Sequence, residues 1–154
     1  MEAVEYWKGC MSLNIELLES SFSQIKNQEA EFTAHFYANL FADYPEIKPL
    51  FANTHMEDQA KKLFKSLVLV VDNLRQSDVL TNTLQGLGTR HIQYGVLPSH
   101  YPVVGSTLLK TFALCLGETW TPQTEQAWSE AYAAVTQLML AGADYPSEIL
   151  TPHV

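Results

Sequence analysis

Apolar residues recur along this chain at the three- and four-residue spacing typical of helices that bury one face. The first stripe runs from Ile15 to Ile25, and Asn14 stands where a helix N-cap is expected. A second helix is predicted from about Gln28 to Tyr44, because a residue that precedes a proline is pushed out of helical geometry. The chain is therefore expected to open with two helices.

Capping and turn residues mark the later helices. The stretch PEIKPLF, which ends at Phe51, predicts one very short helix, and a longer helix is expected from about Thr54, with Glu57 as its capping-box partner. Asp78 is the expected N-cap of a leucine-striped helix that reaches His91, and helices are also predicted over residues 101–116 and 121–141. About seven helices and no convincing strand predict an all-α fold, and periodicity alone says nothing of its purpose.

Length and composition fit one folded domain. The chain has 154 residues, of which 47% are hydrophobic. We expect a domain over residues 12–145, with an N-terminal extension over 1–11 and a C-terminal tail over 146–154. The 9 basic and 17 acidic residues give a net charge of −8, which argues against nucleic acid or an anionic membrane as a partner.

The distribution of apolar residues and cysteines predicts the compartment. No apolar run exceeds five residues, and the first residues, MEAVEYWKGC, lack the basic start and apolar block of a signal peptide. Cys10 and Cys115 are too few for a disulfide framework. We therefore expect a cytoplasmic protein with no membrane partner and with free thiols, whose redox activity the sequence leaves open.

Short motifs exclude the common hydrolase and nucleotide-binding sites. None of the five histidines has the spacing of a helix-borne metal site, and Gly86-Leu87-Gly88 is too short for a dinucleotide loop. His91, however, ends an apolar helix, which is where an axial haem ligand would stand. Taken alone, a histidine at a helix end is more often a structural cap, and His100, at the start of the next helix, is the rival ligand.

Five sequence blocks appear in an order and spacing that indicate a particular protein family. They are HFYANLFADYPEIKPLF (35–51), DQAKKLF (58–64), LGTRHIQYGV (87–96), SHYPVVGSTLL (99–109) and AWSEAY (127–132). Gln59 follows Phe51 by 8 residues, and His91 follows Gln59 by 32. In these blocks, which span most of the chain, the sequence resembles the globin family, specifically bacterial single-domain globins and the haem domain of flavohaemoglobins.

The resemblance implies a globin fold that sandwiches a haem b. It implies that His91 is the proximal histidine, which ligates the iron, and that Phe51 stacks on the porphyrin. It places Tyr37 and Gln59 on the opposite, distal side, facing the bound gas. It also implies further contacts with the haem. Leu63 would form an apolar lid over the iron, and Lys62 and Arg90 would pair with the propionates. The proximal side and edge of the haem would be lined by Leu87, Val96, Tyr101 and Val104.

The implied function is binding of O₂, and also of CO and NO, at the haem. Two hydrogen-bond donors beside O₂, from Tyr37 and Gln59, predict high O₂ affinity. The resemblance further implies a nitric oxide dioxygenase that turns NO into nitrate. Because no flavin domain follows in this sequence, its electrons would come from a separate reductase.

One departure from the family leaves alternatives open. The acidic residue that supports the proximal histidine falls near Ala143 in this sequence, and Asp144 is only adjacent to that position. A less basic imidazole would donate less electron density to iron, so we expect a tight O₂ binder rather than a fast enzyme. The alternatives are a gas or redox sensor that acts through a protein partner, and a globin fold that has lost its haem.

Overall fold

The computed structural model describes residues 14–93 and 96–142, which are helical through most of their length. Six α-helices lie in these ranges: α1 (Ile15–Ile25), α2 (Glu29–Asp43), α3 (Met56–Asp72), α4 (Ser77–Gln93), α5 (His100–Leu116) and α6 (Pro122–Gly142). The predicted very short helix is a 3-10 segment, Pro45–Phe51. Since these ranges contain no strand, the predicted all-α class is confirmed.

Helix α6 organises the packing, because α1, α4 and α5 all lie against it. Helix α2 packs on α5, and α3 packs on α2. None of the described helices is both long and apolar enough to cross a membrane. The predicted extension (1–11) and tail (146–154) lie outside the described residues, as does the Ala143 position.

Several predicted helix boundaries are confirmed by their hydrogen bonds and torsion angles. The Asn14 side chain accepts a hydrogen bond of 3.1 Å from the backbone N–H of Leu17, as an N-cap does. Helix α5 ends at Leu116 and is followed by the predicted Gly117, whose φ of 57° suits a residue without a Cβ. The Thr121 hydroxyl accepts from the N–H of Thr124 at 3.2 Å, so the last helix begins at the predicted Thr-Pro pair.

Two other predicted caps are wrong. Helix α3 begins at Met56 with His55 as its N-cap, because the Thr54 N–H donates to the Phe51 carbonyl at 3.1 Å and so belongs to the preceding turn. Helix α4 begins at Ser77, which places Asp78 inside the first turn. An acidic side chain is still favourable there, because it faces the positive end of the helix dipole.

An aromatic cluster joins α1, α5 and α6 at the centre of the core. The rings of Phe112 and Trp128 stack with centroids 4.4 Å apart, and Phe22, which is fully buried, lies 6.2 Å from Trp128. The indole N–H of Trp128 donates to the hydroxyl of Ser21 at 2.9 Å. The polar atom of this buried ring is therefore satisfied, as buried polar groups require.

The N-cap of α1 gives a first testable prediction. Asn14→Ala should lower the free energy of unfolding by about 1 kcal/mol, because the N–H of Leu17 loses its partner. Urea denaturation followed by circular dichroism measures the loss. Ser23→Ala, an exposed change inside the same helix, is the control. An Asn14→Ala chain as stable as the Ser23→Ala chain would contradict the capping role.

Candidate functional site

Two residues predicted to face the gas lie together in the structure. Tyr37 stands on α2 and is only 8% exposed, while Gln59 stands in the first turns of α3. Gln59 lies close enough to the Tyr37 hydroxyl to lower the pKa of that phenol. The packing of α3 on α2 thus brings a phenol and an amide to one point, although the two residues are distant in sequence.

The protonation of Tyr37 follows from its surroundings. Burial raises the pKa of Tyr37 to about 12, and the nearby Gln59 side chain lowers it by a smaller amount. The Tyr37 hydroxyl therefore stays protonated at neutral pH and can act as a hydrogen-bond donor.

This raised pKa predicts lower stability in alkali. The folded chain retains a proton that the unfolded chain releases near pH 10, so stability falls as the pH rises from about 10 towards 12. Between pH 9 and 11 the wild type should lose about 1.3 kcal/mol more than Tyr37→Phe does. Urea denaturation of both chains at the two pH values measures this difference, and equal losses would contradict the prediction.

A short 3-10 segment brings Phe51 back onto α2. The Phe51 ring meets the Tyr37 ring edge-on, with centroids 5.8 Å apart, and it lies 5.5 Å from the Phe41 ring. Leu63, one turn after Gln59 on α3, is half-buried and packs against the core. Phe51 and Leu63 are therefore partly exposed apolar residues, of which Phe51 contacts Tyr37 and Leu63 lies on the same helix as Gln59.

His91 lies in the last turn of α4, where its ring is held by the helix itself. Its Nδ1 lies 2.7 Å from the Leu87 carbonyl oxygen, which can only accept, so Nδ1 carries the hydrogen. This bond fixes the tautomer whose Nε2 carries a lone pair for a metal. The ring also stacks near that of Tyr101 on α5, at a centroid distance of 6.4 Å.

Burial keeps the His91 imidazole in the form that binds metals. Desolvation lowers the pKa of His91 below its usual value, the positive charge of Arg90 lowers it further, and the bond to the Leu87 carbonyl opposes both. The ring is therefore neutral at pH 7, and neutral imidazole is the form that ligates iron.

His100, the other candidate ligand, makes a local hydrogen bond to the backbone. Nδ1 of His100 accepts a hydrogen bond of 3.0 Å from the backbone N–H of Leu97, at the start of α5. The bond is made to the turn before α5, whose N-cap is Ser99, so His100 does not cap the helix as its position predicts. This bond leaves His91 as the better candidate for a ligand, because the His91 ring is oriented by a carbonyl and lies at the end of an apolar helix.

The remaining predicted contacts divide into apolar and charged residues. Leu87, Val96 and Val104 are half-buried and pack against the core, whereas Lys62 and Arg90 are exposed to solvent. Partly exposed apolar side chains near a neutral, oriented imidazole fit a flat apolar group such as haem. The pairing of Lys62 and Arg90 with propionates stays a prediction.

Three residues that the sequence analysis gave no role lie behind His91. A Cβ added at Gly88 would overlap the Met139 backbone of α6, and one at Gly105 would lie 2.6 Å from the Tyr132 ring. The Tyr132 hydroxyl donates to the Tyr101 carbonyl at 2.6 Å. Helical periodicity gives no signal for such close approaches, and the only hint was that two glycines occur inside predicted helices.

Comparison with known proteins agrees with this description. The family model described as globin matches residues 34–139. A flavohemoprotein of Burkholderia sp. (strain TH2) is 32% identical over 136 residues, which are 86% of this chain and 33% of the relative. A flavohemoprotein of Pseudomonas putida is 28% identical over 140 residues, 89% of this chain and 34% of the relative. The chain thus spans about a third of the length of these curated relatives.

Solved structures give the same result. A bacterial globin from Campylobacter jejuni superposes with a TM-score of 0.70 at 28% identity, covering 83% of this chain and 92% of that one. An engineered carbene transferase made from a candidate nitric oxide dioxygenase of Rhodothermus marinus superposes with a TM-score of 0.73 at 27% identity. That match covers 81% of this chain and 87% of the other.

The fold and the site together define a helical protein in which a histidine oriented by a backbone carbonyl and a tyrosine–glutamine pair stand on different helices. The chain belongs to the globin family. Membership implies a haem cofactor and binding of gas ligands to it.

Proposed function

We propose that this globin binds O₂ tightly at a haem b and uses it to convert NO into nitrate. The observation that carries the proposal is the pairing of Tyr37, which is buried beside Phe51, with the half-buried Gln59. A site for an apolar gas alone would not need two polar side chains in its wall, because a buried polar group is costly unless it is used.

Haem supplies an iron atom with an open position for a diatomic gas. His91 would hold that iron through Nε2, with its ring oriented by the Leu87 carbonyl. Neither Cys10 nor Cys115 starts a C-x-x-C-H attachment motif, which supports a non-covalent haem b. Phe51 and Leu63 would cover one face of the haem, and Leu87, Val96 and Val104 would line the side of His91.

Hydrogen bonding favours O₂ among the diatomic gases. O₂ gains negative charge when it is held by a haem, and the Tyr37 hydroxyl and the Gln59 amide are donors that can stabilise this charge. Each such bond contributes about 1.5–3 kcal/mol. Together they slow the release of O₂ by roughly 10²-fold or more, which suits retention of O₂ for reaction better than bulk transport.

The net reaction that we propose is NO + O₂ + e⁻ → NO₃⁻, in which NO is oxidised and O₂ is reduced. The electron would come from the ferrous iron of the bound haem, which would have to be reduced again after each turnover. The curated relatives are about three times as long as the part that matches this chain. We propose that a separate reductase protein supplies the electron here.

Rapid mixing of NO with the O₂-loaded protein tests this function. We expect about one nitrate per protein, produced as the absorption spectrum changes from the O₂-loaded to the ferric form. The His91→Ala chain, loaded with the same amount of haem, controls for reaction at loosely bound haem. A spectrum of the O₂-loaded protein that stays intact under NO would refute the dioxygenase.

A further inference from the structure

Helix α6 meets the two helices beside His91 at a glycine on each of them. Gly88 of α4 lies so close to α6 that an added Cβ would overlap the Met139 carbonyl oxygen and lie 2.9 Å from the Met139 Cα. Gly105 of α5 is buried against the Tyr132 ring, at 2.6 Å from the position of an added Cβ. At both crossings only a hydrogen atom fits between the helices.

The Gly88 contact is linked directly to the orientation of His91. Gly88 follows Leu87, whose carbonyl oxygen accepts the hydrogen of Nδ1 at 2.7 Å. The carbonyl of the Leu87–Gly88 peptide unit therefore binds the His91 ring, while Gly88 itself packs against the Met139 backbone. Any movement of α4 away from α6 at this point would carry the Leu87 carbonyl and the ring with it.

The Gly105 contact acts on the same ring from α5. Tyr101 lies four residues before Gly105, and its ring stacks near the His91 ring at 6.4 Å. Tyr132 of α6 holds both of these α5 residues, because its hydroxyl donates to the Tyr101 carbonyl at 2.6 Å while its ring covers Gly105. Helix α6 thus fixes the positions of the two groups next to the imidazole, which are the Leu87 carbonyl and the Tyr101 ring.

We propose that Gly88 and Gly105 are positioning residues for the iron ligand, through which α6 fixes where the His91 ring stands. This inference rests on the proposed ligation of haem by His91. Substitution of Gly88 is expected to displace the His91 ring more than substitution of Gly105. The Cβ added at Gly88 would contact backbone atoms, which cannot rotate away as a side chain can. At Gly105 the obstacle is an aromatic side chain, which can shift by a small rotation.

A neighbouring glycine provides a matched control. Gly86 lies on the same helix, and an added Cβ there would find its nearest neighbour, the end of the Arg90 side chain, at 3.9 Å. Gly86→Ala and Gly88→Ala make the same chemical change and gain the same helix propensity. They differ in the contact with α6, so the difference between them isolates the proposed effect.

The test compares wild type, Gly86→Ala, Gly88→Ala and Gly105→Ala as haem-loaded ferrous proteins. Resonance Raman spectroscopy reports the iron–histidine stretching frequency, and transfer of haem to an excess of apomyoglobin reports its rate of loss. For Gly88→Ala we expect a lowered and broadened stretching band, with haem loss about 10–100-fold faster than from Gly86→Ala. For Gly105→Ala we expect a smaller shift of the band in the same direction.

The outcomes separate the inference from the proposed function. A wild type with no iron–histidine band would refute ligation by His91 itself, whereas normal bands and rates in both Gly88→Ala and Gly105→Ala would overturn the positioning role alone. If Gly88→Ala does not fold, Gly105→Ala decides: a shifted band supports the inference, and an unchanged one overturns it. Gly88→Ala that folds less stably but keeps the wild-type band would show a merely structural contact and would also overturn it.

Discussion

Replacing His91 with alanine is expected to abolish normal proximal ligation of haem. The ring nitrogen that can hold iron is lost, and no other histidine is described on the same helix. The ferrous His91→Ala protein should lack the iron–histidine stretching band, and its complex with CO should absorb at a different wavelength from that of the wild type. Addition of imidazole, which can occupy the space of the missing ring, should restore both signals.

His100→Ala is the matched control for this experiment. Its ring accepts a hydrogen bond from the N–H of Leu97, so the substitution should affect the start of α5 and leave the iron–histidine band unchanged. A protein that loses the band in His100→Ala and retains it in His91→Ala would show that the ligand has been assigned to the wrong histidine.

The second large effect is expected on the release of O₂. Tyr37→Phe removes one donor and should speed release about tenfold or more, while the double variant Tyr37→Phe, Gln59→Leu should speed it about 10²-fold or more. Stopped-flow displacement of O₂ by CO measures these rates. Release of CO should change much less, because CO takes on little charge and gains little from a donor.

Tyr44→Phe is the control for Tyr37→Phe, because Tyr44 is a half-buried tyrosine just after the same helix. It should leave the release of O₂ within about twofold of the wild-type rate, a difference well under 1.4 kcal/mol. An unchanged rate in Tyr37→Phe would show that the hydroxyl does not reach the gas. An unchanged rate in the double variant would remove the basis for tight O₂ binding.

Most of the fold could be predicted from local signals in the sequence. The Asn14 cap, the positive φ at Gly117 and the Thr121-Pro122 start all depend on a few consecutive residues, and the structure confirms each of them. The capping box at Thr54 failed because the preceding 3-10 segment and its turn take up the Thr54 N–H. A competing turn of this kind is decided by three-dimensional packing, which a pattern of residue types does not record.

The candidate site was less accessible to pattern alone. By periodicity, Tyr37 is an ordinary core residue and Gln59 an ordinary surface residue, and only the resemblance to globins paired them. Their proximity depends on the packing of α3 against α2. Gly88 is a second example. Its residue type predicts only a less stable helix, whereas the reason for a glycine there is the Met139 backbone of another helix, which the sequence pattern does not show.

The contacts on the two sides of the site join parts of the chain at very different separations. Tyr37, Phe41 and Phe51 meet through one short 3-10 segment, whereas Gly88 has to find Met139, and Tyr101 has to find Tyr132, across whole helices. Closing a longer loop costs more conformational entropy. During folding, therefore, the contacts among Tyr37, Phe41 and Phe51 should form early. The contacts of Gly88 with Met139 and of Tyr101 with Tyr132, which orient His91, should form only when the last helix docks.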